Sequence, residues 1–175
     1  MCDMYVIQVR TGSEENIVIQ CQRIIREQDC EGSVLRKCFI PYYEKQRRYE
    51  GAWHTERKML FPGYVFLVSD DPEQLKESLR SVIGMSRLLG IGDEIVPLTA
   101  EEVCVLQKLG GDSQIVEASI GVIEKDEIRI TSGPLQGMEG CIKKIDRHKR
   151  LAWLEISMMG RIVETQVGLE IVEKR

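Results

Sequence analysis

The last third of the chain limits the possible folds most strongly, because its apolar residues come in short alternating runs. Four such runs occupy residues 128–131, 141–146, 151–157 and 161–167, and glycines or charged turns separate them. Runs of this length and spacing are typical of the strands of a small all-β barrel. The pattern therefore predicts four or five short strands and favours one all-β state over a helical one.

The first 110 residues follow a different pattern, in which strand-like and helix-like segments take turns. Alternating apolar residues mark strands and apolar residues at helical spacing mark helices. In chain order the predicted elements are strand 4–10, helix 14–29, strand 35–43, strand 58–69, helix 72–82, strand 87–91 and helix 99–109. The helices are expected to begin at caps formed by the hydroxyls of residues 11–13, by Asp71 before a proline, and by a Thr99–Glu102 capping box. This β-α-β-β-α-β-α order predicts an α+β sandwich with helices on an antiparallel sheet. The charged residues 44–57 are interpreted as a long hairpin arm or a loop.

The change of pattern near residue 110 predicts a domain boundary. Residues 111–123 contain Gly, Asp and Ser with little periodicity, apart from an apolar patch at 120–123. We therefore expect a first domain over 1–110, a linker over 111–123 and a second domain over 124–175.

Charge and hydropathy exclude several classes of protein. The net charge is −4, which argues against a protein that coats nucleic acid with its whole surface. The N-terminal residues are acidic and no apolar signal segment follows them. No window approaches the roughly 18 apolar residues of a membrane span. We therefore expect a cytoplasmic protein.

The residue types needed for catalysis or metal binding are scattered. There are six cysteines, with no CxxC pair, and two histidines, both in polar, loop-like stretches. Structural zinc and a nucleophilic or acid–base site both need such residues in clusters. We expect no enzymatic activity, no metal and no cofactor. The cysteines are interpreted as reduced, mostly buried residues: Cys2, Cys21, Cys30, Cys38, Cys104 and Cys141.

Two motifs resemble those of a known family. Residues 61–65 read Phe-Pro-Gly-Tyr-Val, which is similar to the signature of the N-terminal (NGN) domain of NusG transcription factors. Residues 126–142 combine Asp-Glu-Ile-Arg-Ile with three spaced glycines and resemble a KOW motif. A KOW motif alone is weakly specific, but both motifs occur here in the family's order. The resemblance implies an NGN α/β sandwich followed by a small SH3-like KOW barrel.

The resemblance also implies a partner for the first domain. In NusG proteins the corresponding surface is an apolar pocket that holds the clamp helices of the largest RNA polymerase subunit. Phe61 and Tyr64 could instead fill the core, but the resemblance, together with their position around a Pro-Gly turn, favours exposed rings at an interface. The candidate polymerase-binding residues are Tyr5, Phe61, Pro62, Gly63, Tyr64, Ile83 and Gly84.

A basic cluster at 141–150 distinguishes the second domain. It carries five Lys or Arg residues against one Asp, inside a chain of net charge −4. Such a cluster is either a solvated turn or a nucleic-acid site, and its place on a KOW barrel favours RNA. Trp153 is expected to lie in the core because of its strand pattern. The candidate RNA-binding residues are Arg129, Lys143, Lys144, Arg147, His148, Lys149, Arg150 and Arg161.

A second departure from the family pattern lies at Met159. Many NusG proteins have an aromatic residue at this position, on the surface that binds Rho or ribosomal protein S10. The loss of the ring and the basic cluster favour a specialised, monomeric paralogue. It resembles the LoaP type, a processive antiterminator that recognises an RNA hairpin. The alternatives are a housekeeping NusG that couples polymerase to Rho or the ribosome, and a KOW RNA-binding protein without polymerase contact.

Overall fold

The computed structural model of the chain describes residues 2–28, 34–88, 90–91 and 94–175. Asp29 of the predicted first helix, Cys30 and Leu89 of the predicted strand 87–91 lie outside the described residues. Within the described part of the chain, no helix combines the length and the apolar character needed to cross a membrane.

Strands outnumber helices along the chain. The strands are β1 (Asp3–Val9), β2 (Leu35–Phe39), β3 (Tyr42–Tyr49), β4 (Ala52–Met59), β5 (Tyr64–Ser69), β6 (Met85–Leu88), β7 (Gly90–Ile91), β8 (Glu94–Ile95), β9 (Ile115–Val116), β10 (Ser119–Glu124), β11 (Glu127–Ser132), β12 (Ile142–Asp146), β13 (Leu151–Met158) and β14 (Arg161–Lys174). The α-helices are α1 (Glu14–Glu27), α2 (Pro72–Ser78) and α3 (Ala100–Gly110).

The chain divides into two compact units. The first contains Met1–Ile40 and Phe61–Val103, and the second contains Pro41–Leu60 and Cys104–Arg175. The predicted division into 1–110, 111–123 and 124–175 stays a prediction about which segments form the functional domains. The segment predicted as a linker carries β9 and most of β10.

The first unit is built on an antiparallel sheet with strand order β2-β5-β1-β6. Its inner strand β1 buries two successive residues, Val6 and Ile7, completely. A strand with one core-facing side would bury only every second residue. Helix α1 buries Ile17 and Cys21 at helical spacing, as predicted. A helix-covered antiparallel sheet thus forms the α+β part of the fold.

Two of the three predicted helix caps in the first unit are confirmed, and the prediction of a hydroxyl cap on α1 is wrong, since the Ser13 side chain makes no cap hydrogen bond. The Asp71 carboxylate accepts hydrogen bonds from the backbone N–H groups of Glu73 and Gln74, at 3.0 and 3.1 Å. Thr99 and Glu102 form the predicted capping box, with reciprocal bonds of 2.9 and 3.2 Å. These bonds satisfy N–H groups that have no partner inside the helix, and so define where α2 and α3 begin.

The second unit contains the predicted small barrel. Its five-stranded sheet has the order β11-β10-β14-β13-β12, with β10 and β14 parallel and the other pairs antiparallel. Along β13 the residues Ala152, Leu154 and Ile156 are buried, while Trp153, Glu155 and Ser157 between them are more exposed. The edge strands β11 and β12 both line one pocket, through Ile128 and Ile142, so the sheet curls on itself.

The charged segment 44–57 forms a hairpin of β3 and β4. Strand β3 starts after a break at Pro41 and pairs with β4 throughout its length and with β9 at its start. Two predicted strands, 35–43 and 58–69, are therefore each divided in two. The breaks occur where proline cannot donate a ladder hydrogen bond, at Pro41 and Pro62.

Hairpin β3–β4 packs directly on the barrel strand β14. The Tyr43 hydroxyl lies 3.3 Å from Gln166 Oε1, and the Thr165 hydroxyl donates a hydrogen bond to the Leu60 carbonyl oxygen. Burial raises the pKa of Tyr43 above its ordinary value. A Cβ added at Gly168 would meet the Glu44 carbonyl oxygen at 2.5 Å. Gly168 thus permits the two backbones to approach this closely.

Candidate functional site

The Phe-Pro-Gly-Tyr segment, residues 61–64, forms the turn that leads into β5. The Tyr64 N–H donates to the Phe61 carbonyl oxygen at 3.2 Å, and Gly63 has φ +86°. Proline followed by a residue of positive φ is the pattern of a type II turn. A Glu14 carboxylate oxygen accepts the Gly63 N–H at 2.7 Å, which ties the turn to the start of α1.

The prediction that the Phe61 ring is exposed is wrong. Its exposed fraction is 1%, and its ring centroid lies 5.8 Å from that of Phe66. Tyr5 is also buried, and Tyr64 is half-buried. The turn directs Phe61 into the core, where burial of an aromatic ring contributes more than exposure to water.

Two exposed turns remain at one end of β1. Val9 donates its N–H to Gly63 on one side and pairs with Met85 on the other. The turns at 61–64 and 82–85 therefore lie on either side of the same strand end. Among the predicted polymerase-binding residues, this places the exposed ones near each other: Pro62, Ile83 and Gly84.

The side chain of Gln20 holds the second of these turns. Its amide nitrogen donates to the Ile83 carbonyl oxygen and its amide oxygen accepts the Ile83 N–H, both at 2.9 Å. The Ile83 side chain is 83% exposed. These two hydrogen bonds hold the backbone of Ile83 in place, and its apolar side chain points into solvent. The sequence gives no periodic signal for Gln20, and our sequence analysis missed it.

The two lysines at the start of the basic cluster both face outward. The register between β12 and β13 shifts between Ile142 and Lys144, so Lys143 is the extra residue of a β-bulge. The Lys143 Nζ lies 3.6 Å from Glu155, and the Lys144 Nζ lies 4.8 Å from the Trp153 ring centroid. Both charges thus have partners on the neighbouring strand β13.

The prediction that Trp153 lies in the core is wrong. It is half-buried on the outer side of β13, between the inward-facing Ala152 and Leu154. The wrong interpretation came from counting the apolar neighbours Leu151 and Leu154 as its alternation partners. Lys144 stands directly across the strand pair and covers its ring.

The turn at 147–150 presents the other cations. The Asp146 carboxylate accepts the Lys149 N–H at 2.9 Å, and this bond, with the charges of Lys149 and His148, lowers the pKa of Asp146. Arg147, His148 and Lys149 are exposed. In the part of the chain that the structure describes, no ion pair involves these three side chains.

Arg150 has a different role from the one its position in the cluster predicts. Its guanidinium carbon lies 3.8 Å from the Trp53 ring centroid, and its Nη2 lies 3.2 Å from Glu170. Only a quarter of the side chain is exposed, at 25%. Arg150 therefore connects the barrel to hairpin β3–β4, and a ligand would have to compete with Trp53 and Glu170 for it.

The two remaining predicted cations lie apart from the turn. Arg161 pairs with Met158 at the opposite end of β13 from residue 150. Arg129 is exposed on β11, beside Ile128 of the pocket that Lys143 and Lys144 also line. Since successive strand residues point to opposite faces of a sheet, Arg129 points away from the pocket that Ile128 and the two lysines line, and Arg161 lies at the far end of β13.

The described residues contain no cluster of three or more His, Cys, Asp or Glu side chains that could hold a metal ion. The arrangement offers two candidate binding surfaces. One is the pair of turns beside β1, and the other is the basic turn with its neighbouring hairpin.

The fold and these surfaces define a class of proteins that join a helix-covered antiparallel sheet to a small SH3-like barrel. The family model described as transcription termination factor nusG matches residues 3–107. The chain therefore belongs to the NusG family of transcription termination and antitermination factors.

Individual relatives agree with this assignment over nearly the whole chain. The chain is 27% identical to the transcription termination/antitermination protein NusG of Thermus thermophilus, covering 96% of this chain and 95% of the relative. It is 25% identical to the Haemophilus influenzae NusG, covering 97% and 92%. A solved structure of Thermotoga maritima NusG, from work on its domain interaction, has a TM-score of 0.64 at 23% identity, covering 98% and 94%.

Proposed function

We propose that this NusG-family factor binds elongating RNA polymerase with its first domain and a structured leader RNA with its KOW barrel. The polymerase would be held in a processive state that reads through terminators. In this proposal residues 1–110 and 124–175 are the two functional domains and 111–123 joins them. Binding at two tethered sites raises the effective concentration of each, so a modest RNA affinity suffices.

The observation that carries the RNA part is the basic turn. Arg147, His148 and Lys149 are exposed on a turn that Asp146 organises, in a chain that is acidic overall. Side chains held in no ion pair within the described part of the chain are available to phosphate groups, whereas Lys143 and Arg150 would first have to leave Glu155 and Glu170. The proposal therefore assigns the first contacts to the turn.

For the polymerase part, we assign the contacts to the exposed and half-buried residues of the two turns beside β1. Pro62, Tyr64, Ile83 and Gly84 would contact the clamp helices. The buried Tyr5, Phe61 and Gly63 would support this surface from within. An exposed, positioned apolar side chain such as Ile83 is what an interface with an apolar groove requires.

We expect Ile83→Asp to reduce binding to the polymerase clamp helices at least about tenfold, because a charge would be buried in an apolar contact. A pull-down with purified clamp helices measures this. The matched control is Ile162→Asp, which places the same charge on a 74% exposed isoleucine of the second unit. Equal binding by the Ile83 variant and the unmodified chain would contradict the assigned surface.

For the RNA site, we expect Arg147→Ala with Lys149→Ala to weaken binding and to reduce the slope of log affinity against log salt by about 1.5. Two lost phosphate contacts account for this change. Arg161→Ala is the control, since it removes an exposed cation at the far end of the barrel. Fluorescence anisotropy over a salt series gives the slopes, and an unchanged slope for the double variant would refute the turn as the contact.

The functional test is transcription in vitro across a terminator, with and without the leader RNA upstream. The proposal expects read-through that depends on both the factor and the leader. Increased termination that needs Rho would instead support a housekeeping NusG role. RNA binding without any effect on polymerase would support a KOW RNA-binding protein.

A further inference from the structure

Hairpin β3–β4 has the composition of a nucleic-acid-binding element, although neither the family match nor the basic turn assigns it that role. Its two strands carry five Lys or Arg residues against two Glu, and the turn between them adds Glu50. Its tip adds the aromatic rings of Tyr49 and Trp53 and the imidazole of His54. Basic residues interleaved with rings are typical of sites that bind phosphates and stack bases.

The register of the hairpin places these groups on two sides of the tip. Arg48 pairs with Trp53 on one side, and Arg47 pairs with His54 on the other. Arg47 has an ion pair with Glu56 at 3.3 Å, whereas Arg48 is exposed and no ion pair involves it among the described residues. Arg48 is therefore the cation of the tip that is available to a ligand.

Tyr49 is a preformed stacking surface. Its ring lies parallel to that of His54, with centroids 3.7 Å apart and planes 16° from each other. Tyr49 nevertheless remains 45% exposed, so part of the ring is accessible to a ligand. The stack with His54 restrains the ring, so a base could stack on it at little further cost in conformational entropy.

The contact between Arg150 and Trp53 places this tip beside the basic turn. Arg150 is the last residue of the turn 147–150, and its guanidinium lies 3.8 Å from the Trp53 ring centroid. Trp53 is in turn the strand partner of Arg48. The ion pair between Arg150 and Glu170 fixes the arrangement from the barrel side. Arg48, Trp53 and Arg150 thus form a row that ends at Arg147 and Lys149.

We propose that the tip of hairpin β3–β4 binds unpaired nucleotides of the RNA whose phosphates the basic turn contacts. Tyr49, on the His54 side of the tip, stacks on a base, and Arg48, on the Trp53 side, binds a phosphate of the same strand where it passes around the tip. This inference rests on the proposed RNA-binding function and adds to it the kind of RNA, since a stacking ring needs a base outside a duplex. The RNA must therefore carry an unpaired loop or single-stranded flank near the bound stem.

The test uses the full chain and three labelled probes. These are an RNA stem with a loop of about ten uridines, the same stem as a blunt duplex, and a thymidine DNA strand of the loop's length. We expect Tyr49→Ala to weaken binding of the looped RNA about tenfold without changing the salt slope. Arg48→Ala should also reduce the slope by about 0.7. Ile162→Ala, another exposed apolar residue of the second unit, should have no effect.

The outcomes separate this inference from the function on which it rests. Loss of loop preference in Tyr49→Ala, with duplex binding unchanged, would support the stacking role. Weaker RNA binding only in the Arg147 and Lys149 variants would overturn the hairpin site and leave the basic turn intact. Equal binding of looped RNA and duplex by the unmodified chain would also overturn it. If the DNA strand binds as tightly as the looped RNA, the site is one for single strands of either kind and the assignment to RNA fails.

Discussion

Replacement of Glu14 by alanine will lower the free energy of unfolding by about 3 kcal/mol. Glu14 is only 1% exposed, and its carboxylate accepts the Gly12 N–H and the Gly63 N–H, both at 2.7 Å. Hydrogen bonds to a charged acceptor are each worth about 1.5–3 kcal/mol, and alanine would leave both N–H groups without this partner. Urea denaturation followed by circular dichroism measures the change.

Two variants check the cause of this loss. Glu15→Ala removes the same charge from the same helical turn, but Glu15 is exposed, so we expect a change of about 0.5 kcal/mol. Glu14→Gln keeps one carbonyl oxygen and should lose roughly half of the alanine effect. If Glu14→Ala is no worse than Glu15→Ala, the two bonds do not hold the Phe61–Tyr64 turn.

The second large effect is expected from Gly168→Ala. The new Cβ would lie 2.5 Å from the Glu44 carbonyl oxygen and 3.0 Å from the Ala118 Cβ, so two backbone segments would have to move apart. Overpacking of this kind costs about 1–3 kcal/mol, and the backbone contact places Gly168 at the upper end, about 3 kcal/mol. Denaturant unfolding measures the change in the free energy of unfolding, and hydrogen exchange should show lost protection in β3.

Gly140→Ala is the control for this substitution. A Cβ at Gly140 meets no atom within 4 Å, and its φ is not positive, so the change should be within about 0.5 kcal/mol. Equal stability of the two variants would mean that hairpin β3–β4 adjusts to the methyl group. The hairpin would then be less firmly packed on β14 than its hydrogen bonds indicate.

The sequence predicted those features that depend on a few neighbouring residues. The Asp71 cap, the Thr99–Glu102 capping box and the alternation along β13 follow from spacings of two to four positions. Such patterns can be recognised in a sequence because the groups that interact are close together along the backbone. The α+β unit and the barrel could be predicted for this reason.

The candidate site was less predictable because its geometry depends on distant segments. Whether Phe61 points inward is decided by Phe66 and the sheet behind it. The outward position of both Lys143 and Lys144 depends on a bulge, which alternation does not reveal. Arg150 meets a tryptophan almost a hundred positions earlier, and no local pattern connects the two. The basic residues of 44–57 were interpreted only as part of a charged hairpin arm or loop, and not as a binding site.

The second unit is built from two separate stretches of sequence, and this affects how the chain folds during synthesis. Hairpin β3–β4 is synthesised early, yet the Leu60 carbonyl oxygen finds its partner at Thr165, 105 residues later. At about 5–20 residues per second, the hairpin waits roughly 5–20 s for that strand. During this interval its rings and cations are uncovered, and final closure must bring together segments from opposite ends of the chain, which slows folding.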